Sequence, residues 1–370
     1  MHPLITIIDS IISIGNLIQL MLAISMIILL IGSKQLKKNW ATVITLFLLL
    51  FTLGFHYMDN KILFNASFLF YFVNFVLVVL IIQNDEFTKN LHFFVVKNKK
   101  WILLEINLIF LYLWFLFISG QGFKYYENWG MEIFHPYAYN AHIFSYHLIF
   151  ISVLYVVCQP KRSFYDAILL GSLAIFLFYT GARTPLLAFV FINIIMLELY
   201  KKIALYLILV VAALILVSGA IPDNPIIEKN KHTSEEGNFL NSRDDFIEST
   251  LEDYLFNTNL LEKIIGKGLD FDTLVVQKKV GQKLWAHNDV TNILVNMGIA
   301  GLSIYIYSMS VIYKEMKRRF TKLKSIFFIL IFLFLAFFNG FYVYVDMLFL
   351  IPIIILLSTN KKTVIGSLHE

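Results

Sequence analysis

The sequence predicts an all-α integral membrane protein of about eleven transmembrane helices with one large folded loop outside the membrane. Three observations predict it. The 370-residue chain is 59% apolar and only 15% charged, with a mean hydropathy of +0.74, whereas soluble domains carry about 25% charged residues. Apolar stretches of bilayer-crossing length recur from end to end, which favours helices over a barrel of alternating strands. Lys and Arg collect in every second loop, as they do when one side of the membrane is cytoplasmic.

The apolar stretches place spans at roughly 11–32, 40–58, 62–83, 101–119, 141–158, 165–181, 185–200, 203–221, 289–313, 325–341 and 343–359. Asn339-Gly340 marks either a tight turn between the last two or a broken helix. The basic loops hold Lys34, Lys37 and Lys38; Lys89, Lys97, Lys99 and Lys100; Lys161 and Arg162; Lys201 and Lys202; the Lys314–Lys324 segment; and Lys361 and Lys362. The opposite short loops hold only Lys61, Lys124 and Arg183. The positive-inside rule therefore sets the N-terminus outside and the C-terminus in the cytoplasm, which an odd number of spans requires. Met1 to Asp9 carries no Lys or Arg and reads as the lead into an uncleaved first span. The single Cys158 excludes an intrachain disulfide and argues against a thiolate metal cage.

This divides the chain into residues 1–221 with spans one to eight, an extracytoplasmic loop domain at 222–288, and 289–370 with the last three spans and a cytoplasmic tail. The loop reads as folded. Ser242 can cap a helix with Ile247, Leu251, Tyr254 and Leu255 on its apolar face, and Leu260, Leu261, Ile264 and Ile265 mark a second short helix ended by Gly266 and Gly268. The aromatic 120–140 loop suits a headgroup boundary. No repeat of 20–50 residues is present, and no likeness between halves supports an inverted-repeat transporter.

Arg183 lies in Tyr179-Thr180-Gly181-Ala182-Arg183-Thr184-Pro185, between two apolar runs and with no carboxylate beside it in sequence. A guanidinium inside a bilayer costs about 2.5–3.5 kcal/mol on insertion scales, so it needs a partner or a wet cavity. Thr184 suits an N-cap and Pro185 the first helical position, which would set a helix N-terminus beside the guanidinium and make an anion site. The alternative is a side chain that snorkels to outer headgroups.

Two further clusters carry chemistry. Arg243, in Asn241-Ser242-Arg243-Asp244-Asp245, is either a second anion contact or part of a solvated helix face. His287, in Trp285-Ala286-His287-Asn288-Asp289, is either a general base at the outer mouth of the bundle or an interfacial histidine. Asp289 can cap the ninth span or orient that ring, and Gly298 and Gly301 allow close helix packing. Asp270-Phe271-Asp272 has the form of a cation-binding D-x-D, but two oxygen ligands on the outer face make a poor site and the segment reads as a loop turn. His135 and Tyr137 read as glycan contacts or belt anchors, Glu105 and Asp166 as water-reaching residues near cytoplasmic ends, and Asn74, Asn107 and Asn193 as interhelical hydrogen-bonders.

Gly181-Ala182-Arg183-Thr184, Ser242-Arg243 with Leu261-Glu262-Lys263-Ile264-Ile265-Gly266-Lys267-Gly268, and His287-Asn288 with Gly298-Ile299-Ala300-Gly301-Leu302 follow one another in this order over residues 180–302. The set resembles the O-antigen ligase and polymerase family of bacterial membrane glycosyltransferases (the WaaL/Wzy group). The resemblance implies a GT-C-like helical bundle in the bacterial cytoplasmic (inner) membrane, with its active site facing the periplasm or cell exterior. It implies an undecaprenyl-diphosphate-linked oligosaccharide as donor and an acceptor glycan whose hydroxyl attacks it. Arg183 and Arg243 would hold the diphosphate and His287 would act as base, with Thr184, Asn288 and Asp289 supporting. No metal, cofactor or nucleic acid enters this reading; the bilayer, a chain-length regulator and a flippase are the remaining partners.

The expectation is a repeat-unit polymerase of the Wzy type, making O-antigen of lipopolysaccharide or capsule. An O-antigen ligase acting on lipid A–core uses the same donor, and the motifs do not separate the two. The modest outer loops favour the polymerase. A lipid-glycan flippase or other transporter would need charge through the whole span depth, whereas here it gathers at the outer mouth. Impermeant reagents are expected to label the 222–288 loop in intact cells; labelling confined to inverted vesicles would reverse the topology.

Overall fold

The computed structural model describes residues 66–126, 131–136, 141–159, 164–197, 243–281 and 288–366, together with Ile24 and Ile27, both helical. Helices dominate these residues. In chain order they are α1 (Ala66–Ile81), α2 (Asp85–Ile118), α3 (Ala141–Cys158), α4 (Phe164–Tyr179), α5 (Arg183–Met196), α6 (Arg243–Phe256), α7 (Leu260–Ile265), α8 (Phe271–Val280), α9 (Asp289–Arg319), α10 (Lys322–Phe338) and α11 (Val345–Gly366). A two-stranded antiparallel hairpin, β1 (Phe123–Tyr126) and β2 (Met131–Phe134), separates α2 from α3.

Three of the described helices, α2, α3 and α9, are long and apolar enough to cross a membrane. Shorter apolar helices cover Phe70–Ile81, Phe164–Tyr179, Arg183–Met196 and Asp346–Leu356. The spans expected at 40–58 and 203–221 lie outside the described residues, as does all but Ile24 and Ile27 of the one at 11–32. Ser242 also lies outside them.

Several boundaries differ from expectation for local reasons. α2 runs 34 residues and absorbs the basic segment before 101, because Lys89 to Lys100 contains no Gly or Pro. Its start is capped by Asn84, whose Oδ1 accepts from Glu86 N at 2.9 Å and Phe87 N at 3.3 Å. The 222–288 loop contains a third helix, α8, where a turn at Asp270-Phe271-Asp272 was expected. In α6 the buried stripe is Phe246, Thr250 and Tyr254, one residue out of phase with the expected face, and Leu255 is exposed. α7 falls where expected and starts with a capping box, Asn259 and Glu262 each closing on the other's backbone N–H.

The chain groups into two compact units that interleave in sequence. The unit containing 90–241 holds α3, α4, α5 and the hairpin. Phe117, Phe123, Phe134, Phe176 and Tyr179 form its aromatic cluster, with ring centroids 4.9–5.9 Å apart. The register Phe123↔Phe134 sets both strand ends into that cluster. His135 is buried with its ring edge-on to Tyr126 at 5.3 Å, which makes it a packing residue of the hairpin. Asp166 is buried as well, accepting from the Tyr155 hydroxyl instead of reaching water. Asn193 donates to Ser152 Oγ at 3.3 Å and Asn107 accepts from the Tyr165 hydroxyl at 2.7 Å, the interhelical role expected of both.

The other unit comprises residues up to 89, 242–321 and 332–352. Its axis is α9, which is broken at Gly298 (φ 66°, ψ −165°), a conformation close to exclusive to glycine. The break releases backbone carbonyls, and the segment after α7 takes them up: Lys267 N donates to Val295 O at 2.9 Å and Gly268 N to Asn296 O at 3.1 Å. The approach is so close that a Cβ on Gly298 would overlap the Ile264 backbone, and one on Gly266 (φ 88°) the Asn296–Met297 peptide. Gly298 therefore receives the loop. Gly301 instead lies against Met297 and Ile293 of its own helix, so the two glycines do not form one packing face. At the far end Arg318 joins Asp85 at 2.6 Å and Glu315 at 2.7 Å; the Arg318–Asp85 pair is substantially exposed and contributes about 1 kcal/mol at most.

Gly298→Ala is expected to cost about 1–3 kcal/mol from backbone strain alone, with the steric overlap adding to it. A lowered melting temperature of the detergent-solubilised protein would register this. A Gly171→Ala control, at a helical residue with open space where its Cβ would go and no positive φ, should lose little.

Candidate functional site

Arg183 is the first residue of α5 and is half-buried. Sequence reasoning set the helix start at Thr184-Pro185; the structure sets it earlier, with Ala182 at the N-cap in extended conformation and no side-chain cap. Thr184 and Pro185 occupy the second and third helical positions, where the missing proline N–H still falls in the first turn. The ladder starts with Leu186 N donating to Ala182 O at 3.2 Å.

The turn ahead of Arg183 is built by Thr180, which sequence reasoning passed over. Its buried hydroxyl donates to Leu177 O at 2.7 Å, accepts from Ala182 N at 3.2 Å and meets Ser145 Oγ of α3 at 2.9 Å. Gly181 follows with φ 66°, which lets the chain reverse directly into α5. Arg183 thus stands on a rigid turn between two apolar helices, at a helix N-terminus whose dipole favours an anion.

In the other unit Arg243 opens α6, and Asn288 and Asp289 open α9. His287 lies outside the described residues. Asn288 is the N-cap of α9: its Oδ1 accepts from Thr291 N at 3.0 Å, while its Nδ2 donates to Phe337 O at 3.2 Å. Asp289 is therefore not the cap. It is fully buried, and its Oδ2 accepts from Phe341 N at 2.8 Å, Tyr342 N at 3.3 Å and the Tyr305 hydroxyl at 2.9 Å. These bonds fasten the turn between α10 and α11, which settles Asn339-Gly340 as a turn between two helices.

A polar ladder continues from there. The Tyr342 hydroxyl donates to Asn292 Oδ1. Asn292 Nδ2 donates to Asp272 Oδ2 at 2.7 Å, and Asn296 Nδ2 to Asp272 Oδ1 at 2.9 Å. Asn296 Oδ1 accepts from Phe271 N at 3.1 Å and Asp272 N at 3.2 Å, so α8 is capped by a side chain of α9 and not by its own Asp270. Asp272 is fully buried and tied on both carboxylate oxygens, which makes the Asp270–Asp272 segment a structural anchor at a helix start. A legible signal existed: Asn288, Asn292 and Asn296 recur every four residues and so share one helix face. Among the described residues no group of three or more His, Cys, Asp or Glu is placed to hold a metal ion.

The loop helices also present an open groove between α6 and α8, lined by Ser249, Glu252, Asp253, Phe256, Asn257 and Val275. Tyr254, on the same helix, is buried and donates to Lys263 O at 2.6 Å, and burial pushes its phenol above the ordinary tyrosine range. Neither a protein-family model nor a curated protein matches the chain.

Asp289→Ala would strip the acceptor from two backbone N–H groups and a hydroxyl, each left unsatisfied at about 1–3 kcal/mol. The expected result is loss of the monodisperse protein peak in detergent. Asp289→Asn keeps a carbonyl oxygen for the same donors and should retain most of it.

Proposed function

We propose that this protein is a membrane glycosyltransferase that lengthens or transfers a glycan carried on a polyprenyl diphosphate, acting as a repeat-unit polymerase. The observation that carries the reading is the setting of Arg183. A guanidinium opens an apolar helix at a turn fixed by buried hydrogen bonds, and such a position suits a phosphate group. Arg243 and His287 join it through the ordered resemblance over residues 180–302.

In the proposed reaction the acceptor hydroxyl oxygen attacks the anomeric carbon of the donor glycan. The bond from that carbon to the phosphate oxygen breaks, and its electron pair leaves on the diphosphate. Arg183 and Arg243 hold the charge that develops there, a contribution that is usually the largest in such catalysis. His287 takes the hydroxyl proton, a step worth roughly 10²–10⁴-fold in rate. The products are the extended glycan and the free lipid diphosphate, and direct displacement inverts the anomeric centre. The orientation that serves this chemistry has the N-terminus, the 222–288 loop and Arg183 outside the cytoplasm, as the distribution of Lys and Arg suggests. The carboxylates, amide and aromatic ring of the α6–α8 groove are groups that suit sugar hydroxyls and ring faces.

Arg183→Ala, Arg243→Ala and His287→Ala are each expected to abolish long-chain polysaccharide while the protein still inserts; unchanged ladders on a gel would refute the assignment. Arg183→Lys should fail too, because an ammonium lacks the planar fork that grips phosphate. Purified protein supplied with lipid-diphosphate repeat units separates the two acceptors: chain growth without lipid A–core indicates a polymerase, and transfer only to core indicates a ligase.

A further inference from the structure

The short helix α7 has two unlike faces. Ile265 is 3% exposed and Gly266 is pressed against α9, whereas Leu260, Leu261 and Ile264 are 77%, 51% and 45% exposed. Phe256, at the end of α6 and four residues before Leu260, is exposed as well. A cluster of large apolar side chains exposed together on short loop helices marks a surface that something covers.

The neighbouring surface of α9 indicates which covering. Ile264 backbone atoms lie against Gly298, and the next residue, Ile299, is 55% exposed. Ile299, Ser303 and Ile306 form one exposed stripe at i, i+4 and i+7, with Ile304, Tyr305 and Ser308 buried behind it. The one hydroxyl on the stripe, Ser303 Oγ, donates to Ile299 O at 2.7 Å, so the stripe offers no unsatisfied side-chain donor to its surroundings. On a helix long enough to cross a membrane, this is a face for lipid.

Depth agrees. The basic end of α9 begins at Lys314. Gly298 lies sixteen residues earlier, about 24 Å along the helix, against a hydrocarbon thickness of about 30 Å. The break therefore falls close to the opposite boundary of the hydrocarbon.

We propose that α7 is an interfacial helix, with Leu260, Leu261 and Ile264 seated among the lipid acyl chains at the membrane border opposite the basic end of α9, continuous with the lipid-facing stripe that starts at Ile299. The inference rests on the membrane reading of α9 and is independent of glycosyl transfer.

The test is a nitroxide label at Leu260→Cys, Leu261→Cys or Ile264→Cys, one at a time, in the full chain in phosphatidylcholine–phosphatidylglycerol bilayers. Native Cys158 is buried, and the unmutated protein sets the labelling background. Ile306→Cys is the bilayer reference and Gln277→Cys, exposed on α8, the aqueous one. Collisions with dissolved oxygen should exceed those with a water-soluble nickel chelate at 260, 261 and 264, as at 306, with the order reversed at 277. Nickel-dominated collisions at the three α7 sites, with 306 still oxygen-dominated, would overturn the interfacial seat and leave the span in place. Low collisions with both reagents and dipolar broadening between copies would assign the face to a second copy and overturn it likewise. Nickel access at 306 would remove the span itself and the inference with it.

Discussion

A helix broken where it is buried leaves carbonyls that water cannot reach, and they must find donors within the protein. In this molecule the donors come from the loop: Lys267 and Gly268 give their backbone N–H groups to Val295 and Asn296. Two glycines permit it, Gly298 by adopting a backbone conformation closed to other residues and Gly266 by letting two backbones touch. The position of α7 and α8 follows from that junction, because Asn296 also caps α8 and holds Asp272.

The polar ladder from Asp289 to Asp272 extends the same logic along α9. Each rung links a different piece of chain: the α10–α11 turn through Phe341 and Tyr342, then Asn292, then the start of α8. Aromatic rings wrap it, with Phe75 of α1 5.3 Å from Tyr305 and 6.2 Å from Phe341. Such a network is strong where every member is satisfied and costly where one is lost. It fixes the end of α9 that follows His287 in sequence, which is the end the proposed chemistry requires to be rigid.

Much of this was legible in the sequence. Apolar runs located α3 and α4 to within about two residues, and Leu260, Leu261, Ile264 and Ile265 followed by Gly266 marked α7. What escaped was set by tertiary partners. α8 has polar and basic residues through its second half, and its cap is supplied by Asn296 from twenty-four residues downstream of Asp272. The stripe Asn288, Asn292, Asn296 was readable as a periodic pattern, but its partner Asp272 resembled half of a cation motif. In α6 the buried face turned by one residue because Thr250, a polar residue, occupies the interior while Leu255 does not. At the Arg183 turn the guanidinium is the conspicuous group in the sequence, whereas the residue that shapes the turn is Thr180, an ordinary threonine until Ser145 is brought beside it.

The glycine junction also bears on how such a chain can be engineered. Residues 243–281 look like a detachable insert, yet the lattice of bonds they share with α9 makes them a half of one object. A chimera that grafts in a foreign loop while keeping Val295 to Gly298 would strand the broken helix, and one that keeps the loop while straightening α9 would leave Lys267 and Gly268 with nothing to bind. Exchanges between related chains are therefore viable only when both parts travel together.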